Sequence, residues 1–178
     1  AACVAVPHAF PRVPTPTHAA YARTLVQAQG IATMATVRAD GHPFSSVVQY
    51  VLDDRGRPTT LLSELAEHTK NVRRDPRASV IVGSNVHAGD DPMALPRVTL
   101  LGTMTELADA PADVADRFVA AHPSAASYVD FGDFRFWMLD VTSVRYVGGY
   151  GRMSWVPVDE YASTEPDPLH AHADGIVA

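Results

Sequence analysis

The sequence predicts a mainly β protein with flanking helices (α+β), a closed barrel of six antiparallel strands. Six segments of strand character follow one another at short spacing, with turn signals between them. Helical patterns interrupt them at only a few points, which places helices on the flanks of a sheet. An open sheet of this size would leave two unprotected edges, so closure is expected. The chain has 178 residues, 47% of them hydrophobic. That is the size of one domain with a sizeable core.

Residues 1–17 are proline-rich without helical period and read as an extended N-terminal arm. Thr15-Pro16 resembles a helix start, with Ala19, Ala22, Leu25 and Val26 apolar and Gly30 as the stop. Ile31–Ala39 reads as a strand, Asp40-Gly41 as a hairpin turn and Pro43–Leu52 as the partner strand. A turn at Asp53–Pro58 leads to a third strand, Thr59–Ser63. The period then changes. Leu65, Thr69 and Val72 fit one face of a short helix that Asp75-Pro76 ends. Ala78–Gly83 is the fourth strand, Asn85–Pro96 a polar loop and Arg97–Leu107 the fifth strand. Pro111–His122 reads as a helix with Val114, Phe118 and Val119 inward, followed by a short helix at Ser124–Val129. Phe134–Val147 alternates as the sixth strand, Gly148–Gly151 turns, and Ser154–Val158 is a final short strand. The barrel domain is expected over residues 18–161 and a loose acidic tail over 162–178.

The net charge of −6, with acidic and basic residues mixed, argues against a nucleic-acid partner. No run of about 18 apolar residues is present, so no helical membrane span is expected. Cys3 is the only cysteine. It excludes an internal disulfide framework and a multi-cysteine zinc site, and it suits a reducing cytoplasm, the expected location. No P-loop, dinucleotide fingerprint or nucleophile elbow occurs. The glycines of Gly148–Gly151 read as a tight turn.

The informative stretch is Ser63–Val82, SELAEHTKNVRRDPRASVIV. A strand ends at Ser63, and a helix begins within a few residues carrying His68, Thr69, Lys70 and Asn71 in its first turns. Donors at a helix N-terminus suit an anion such as a phosphate or a carboxylate. A surface helix with ordinary basic residues has the same pattern, and spacing alone leaves both open. His68 has three candidate roles: donor to an anion, ligand of a haem iron, or cap of the local backbone.

Four stretches carry a resemblance: Ile31–Asp54, Leu61–Val82, Arg97–Met104 and Phe134–Val156. In that order they resemble the flavin-binding split-barrel superfamily of pyridoxamine 5'-phosphate oxidases. Within it they look like the HugZ-type branch, associated with haem binding and haem degradation. The resemblance implies a split barrel that forms a homodimer, with cofactor sites between the subunits. The strand Pro43–Val51 and the Ser63–Asn71 turn would line the cofactor side, with Ser46, Val48, Ser63, His68, Thr69, Lys70 and Asn71 as candidate contacts. Ser46 falls where flavin oxidases usually place a phosphate-binding arginine, Val51 where they place a lysine, and His68 near another lysine. Loss of those cations lowers the FMN or deazaflavin alternative and favours haem. Phe44, Val47, Val48, Tyr50 and Trp155 would supply apolar wall, and Arg152 or Lys70 would meet propionates. His68 is the candidate iron ligand. The implied function is haem binding, with oxidative haem degradation as its extension. A flavin-type oxidoreductase and a non-catalytic, partner-binding barrel are the alternatives. HugZ-type relatives often continue into a small C-terminal domain, so residues 162–178 are expected to lead toward one.

Overall fold

A computed structural model describes residues 15–108 and 110–168. The expected arm over residues 1–17 falls outside the described residues up to residue 14, and the tail falls outside them from residue 169. The element order is α1 (His18–Ala28), β1 (Ile31–Val37), β2 (Pro43–Leu52), β3 (Pro58–Ser63), α2 (Glu67–Arg74), β4 (Arg77–Gly83), β5 (Arg97–Glu106), α3 (Ala112–Ala121), a 3-10 turn (Pro123–Ser127), β6 (Phe134–Val147), β7 (Met153–Val156) and α4 (Val158–Ser163).

All strand pairs are antiparallel, in the order β3-β2-β1-β4-β5-β6-β7, and a β3–β6 pairing closes the barrel. The closed part has the six strands expected. β6 is long enough to serve two partners. Its first residues, Phe134–Met138, pair with β3, and Val144–Val147 pair with β7. A register shift in the β5–β6 pair at Gly102 bends the long strands. A Cβ at that glycine would collide with the Asp140 carbonyl oxygen, so the bulge depends on its absence.

The core fills the barrel with Met34, Val48, Tyr50, Leu62, Val80, Val98, Leu100, Leu139 and Val144, and α1 covers one side through Ala22, Leu25 and Val26. Tyr50 donates its buried hydroxyl to the Val26 carbonyl at 2.7 Å, tying β2 to α1. Burial pushes the Tyr50 phenol well above its ordinary pKa. His122, also buried, donates Nε2–H to the Tyr50 carbonyl at 2.9 Å.

Several local expectations are corrected. The α1 cap is Thr17 rather than Thr15, because its Oγ1 accepts the Ala20 amide at 3.1 Å. Gly30 is not a left-handed stop. The chain leaves α1 extended at Gln29, and Gly30 is small because the His122 ring lies where a Cβ would be. Leu65 precedes α2 in a turn and is exposed, so it is not part of the apolar face. In α3, Val114 and Phe118 are buried and Val119 is half-buried.

The last strand ends at Val156 rather than at Val158, and α4 follows, running past the expected end of the barrel domain at residue 161. Tyr161 is the reason. Its ring is buried, and its hydroxyl donates to the Gly56 carbonyl at 2.9 Å. The chain beyond α4 is also held, by Arg23 Nε–H to the Thr164 carbonyl and by the Asp167 amide to Thr24 Oγ1.

Candidate functional site

The site is a consequence of where β2 and β3 part. They pair only through Tyr50–Leu52 and Pro58–Thr60. Beyond that, β2 continues beside β1 while Leu61–Ser63 continues beside β6. The gap is a groove of about 470 Å³. Ile31, Val47, Val48 and Gln49 line one wall, and Leu61, Leu62 and Ser63 line the other. Tyr128 and Phe134 close one end, and Ala66 and His68 lie on the side of α2.

α2 is anchored at two residues beside His68. Thr69 donates its hydroxyl to the Ser63 carbonyl at 2.6 Å, and Asn71 Nδ2–H donates to Thr36 Oγ1 at 3.0 Å. Both side chains are fully buried. They were expected to touch a cofactor, and instead they brace the turn from inside. A short polar side chain beside a buried backbone carbonyl satisfies that carbonyl first. His68 itself is half-buried, with Nδ1 3.0 Å from Ser46 Oγ. Burial lowers its pKa below the ordinary histidine value, so the ring is neutral at neutral pH.

Of the other expected residues, Val48 and Ser63 line the groove. The Ser63 hydroxyl donates to Asp133 Oδ2 at 2.9 Å and accepts the Leu65 amide at 3.2 Å, so it shapes the rim. Lys70 is exposed on α2. Tyr50 belongs to the core rather than to the wall. Arg152 and Trp155 do not reach the groove of their own protomer. β7 pairs with the end of β6 opposite to β3, on the order of 30 Å along that strand. Arg152 donates to the Gly148 carbonyl at 3.0 Å, and Arg145 lies over the Trp155 ring at 5.4 Å.

The sequence reading missed the aromatic end of the groove. Tyr128 packs tilted against Phe134 with centroids 5.0 Å apart and donates to Gln49 Oε1 at 3.1 Å. Phe131 meets Phe134 edge-on at 6.4 Å. The signal was Tyr128, Phe131 and Phe134, aromatic residues at a spacing of three that run into the start of β6.

A closed antiparallel barrel with a ligand-sized groove where two strands diverge defines the split β-barrel class. The CREG β-barrel family model matches residues 14–163, and the chain belongs to that family. It is 38% identical to a structure described as a heme binding protein from Mycobacterium smegmatis, with a TM-score of 0.85, covering 93% of this chain and 68% of the other. It is 30% identical over 157 residues to the Arabidopsis thaliana protein named non-canonical heme oxygenase HOZ, chloroplastic. That match covers 84% of this chain and 46% of the plant protein, so the chain spans about half of that relative's length. The heme storage protein HutZ of Vibrio cholerae shares the fold at 19% identity, with a TM-score of 0.60, covering 67% of this chain and 87% of HutZ. The HugZ-like, pyridoxamine-phosphate-oxidase-like split barrel expected from the sequence is the fold of this chain. No helix among the described residues is long and apolar enough to cross a membrane.

Proposed function

We propose that the chain binds haem in the groove between β2 and β3, as a homodimer, and serves its oxidative degradation. The observation that carries this reading is an apolar groove with one neutral imidazole, His68, at its margin. A flat macrocycle with apolar faces, two carboxylates and an iron open to a nitrogen ligand suits such walls. A flavin phosphate would meet Ser46, Val51 and His68 where flavin oxidases place cations, so these residues fit haem better than FMN. The names of the M. smegmatis and Arabidopsis relatives support the same choice.

Bound haem would supply the redox-active iron. The chain's own residues supply placement. His68 offers a ring nitrogen to the iron or to a propionate. Lys70, exposed on the same helix, offers a cation to a propionate. The aliphatic walls, with Tyr128 and Phe134 at the end, exclude water from the macrocycle. Haem titration followed at the Soret band tests the reading. A saturable Soret shift is expected, with no yellow complex on adding FMN. Ascorbate and oxygen should then bleach the band and release an open-chain tetrapyrrole. A stable band would leave a haem-binding, non-catalytic barrel, and an FMN complex without a haem complex would overturn the proposal.

The homodimer rests on one cross-strand row of the outer sheet face. Val47, Thr33, Ile81, Thr99, Arg145 and Trp155 are successive neighbours across six strands. Val47 is 72% exposed and Trp155 62%, with Ile81 also open. Isolated chains rarely leave such a row uncovered. A two-fold axis at the middle of the row sets the partner subunit's Trp155 against Val47, beside the groove, and brings the partner subunit's Arg152 toward it. Val47→Asp would place a charge in that contact at both ends. Sedimentation velocity is expected to show a dimer for the natural chain and a shift to monomer for this variant.

A further inference from the structure

Ser46 occupies an inward-facing position of β2, in register with the buried Met34. A hydroxyl at such a position needs a partner. Among the described residues its Oγ has one, Nδ1 of His68 at 3.0 Å. The α2 backbone that carries His68 is held by the buried anchors Thr69 and Asn71, which follow it in the helix. His68 Nε2 has no partner among the described residues, and it is not among the sealed polar atoms. It therefore stays open, on a residue that lines the groove.

We infer that Ser46 is a positioning residue: it takes up Nδ1 of His68 and leaves Nε2 as the one ring nitrogen offered to a bound group. The inference rests on the haem reading for the identity of that group. An unrestrained imidazole flips about its Cβ–Cγ bond and exchanges tautomers, so either nitrogen would face the ligand. The hydroxyl removes that freedom and serves both roles open to His68. It accepts from Nδ1–H when the Nε2 lone pair meets a metal, and it donates to Nδ1 when Nε2–H meets a carboxylate. The substitution of a serine where flavin oxidases place an arginine thus gains a meaning. The position turns from a direct phosphate contact into a support for the neighbouring ring.

The test uses the full chain with nitrogen-15-labelled histidine, as the natural sequence and as Ser46→Ala and Ser46→Thr. Without haem, long-range proton–nitrogen spectra should show a hydrogen-bonded Nδ1 at His68, lost in Ser46→Ala and restored in Ser46→Thr. With haem, Ser46→Ala should bind about fivefold more weakly, the cost of one neutral hydrogen bond. Where Nε2 meets the iron, the iron–imidazole Raman band of the ferrous form should also shift, and Ser46→Thr should recover it. A chain that takes up no haem but shows the Nδ1 response keeps Ser46 in its role and overturns the haem reading. Haem binding with an unchanged Nδ1 signal and an unchanged Raman band in Ser46→Ala overturns the positioning role and keeps the haem reading.

Discussion

Tyr161→Ala is expected to lower the stability of the protein by about 4 kcal/mol, the usual cost of emptying a large buried aromatic site. The ring is only 1% exposed, and burial raises its phenol pKa to about 12. It does three things at once. It fills the space between α4 and the barrel, its hydroxyl satisfies the Gly56 carbonyl, and its face carries the guanidinium of Arg23 at 5.4 Å. Arg23 is itself only 4% exposed, and its guanidinium bonds the carbonyls of Thr164 and Asp54. Gly56, with φ of +75°, packs so closely on Arg23 that no side chain fits there. Removing the ring therefore loosens α1, the β2–β3 turn and the segment after α4 together. Urea or thermal unfolding measures the loss, which corresponds to roughly 10 °C in Tm for a chain of this size. Tyr161→Phe separates the parts: it keeps the packing, loses the bond to Gly56 and should cost about 1 kcal/mol. A Tyr161→Ala loss no larger than that of Tyr161→Phe would show that α4 is not part of the cooperative core.

His68→Ala is expected to weaken haem binding at least about tenfold, the effect of losing one ligand bond or one bond to a charged group. The two roles open to His68 leave different traces. If Nε2 meets the iron, the Soret position of the variant changes along with its affinity. If it meets a propionate, affinity falls and the band keeps its position. An unchanged spectrum with unchanged affinity would remove His68 from the site. The variant should fold normally, because Thr69 and Asn71 anchor α2 without it. A far-ultraviolet circular dichroism spectrum checks that point.

The helix beside the groove shows how far local pattern reaches. The helix-start signature picks out His68, Thr69, Lys70 and Asn71 as donors that suit an anion, and the resemblance adds Ser63 and makes them candidate cofactor contacts. That signature identifies polar side chains near free backbone amides, and it does not say which of them turn inward. Thr69 and Asn71 found partners in the Ser63 carbonyl and Thr36 and closed over the barrel. His68, just before them at the start of α2, was left at the groove with Ser46. Arg152 and Trp155 lie elsewhere in their own protomer. They sit in a segment that resembles the cofactor side, yet β6 holds β3 and β7 at opposite ends and carries them away from their own groove.

By itself the sequence determined the strands, the turns between them and the closed six-stranded class. Alternation with period two and glycines of positive φ, such as Gly41 and Gly149, are local properties of the chain. Tertiary structure alone decided that β2 and β3 part beyond Tyr50 and that Tyr128, before β6, and Phe134, at its start, end the resulting groove. It also decided that a helix at Val158–Ser163 locks onto Arg23 and Gly56. Each of these depends on pairing between residues far apart in the chain. Barrel closure through β3 and β6 brings them together, and no local period records which edge is left unpaired.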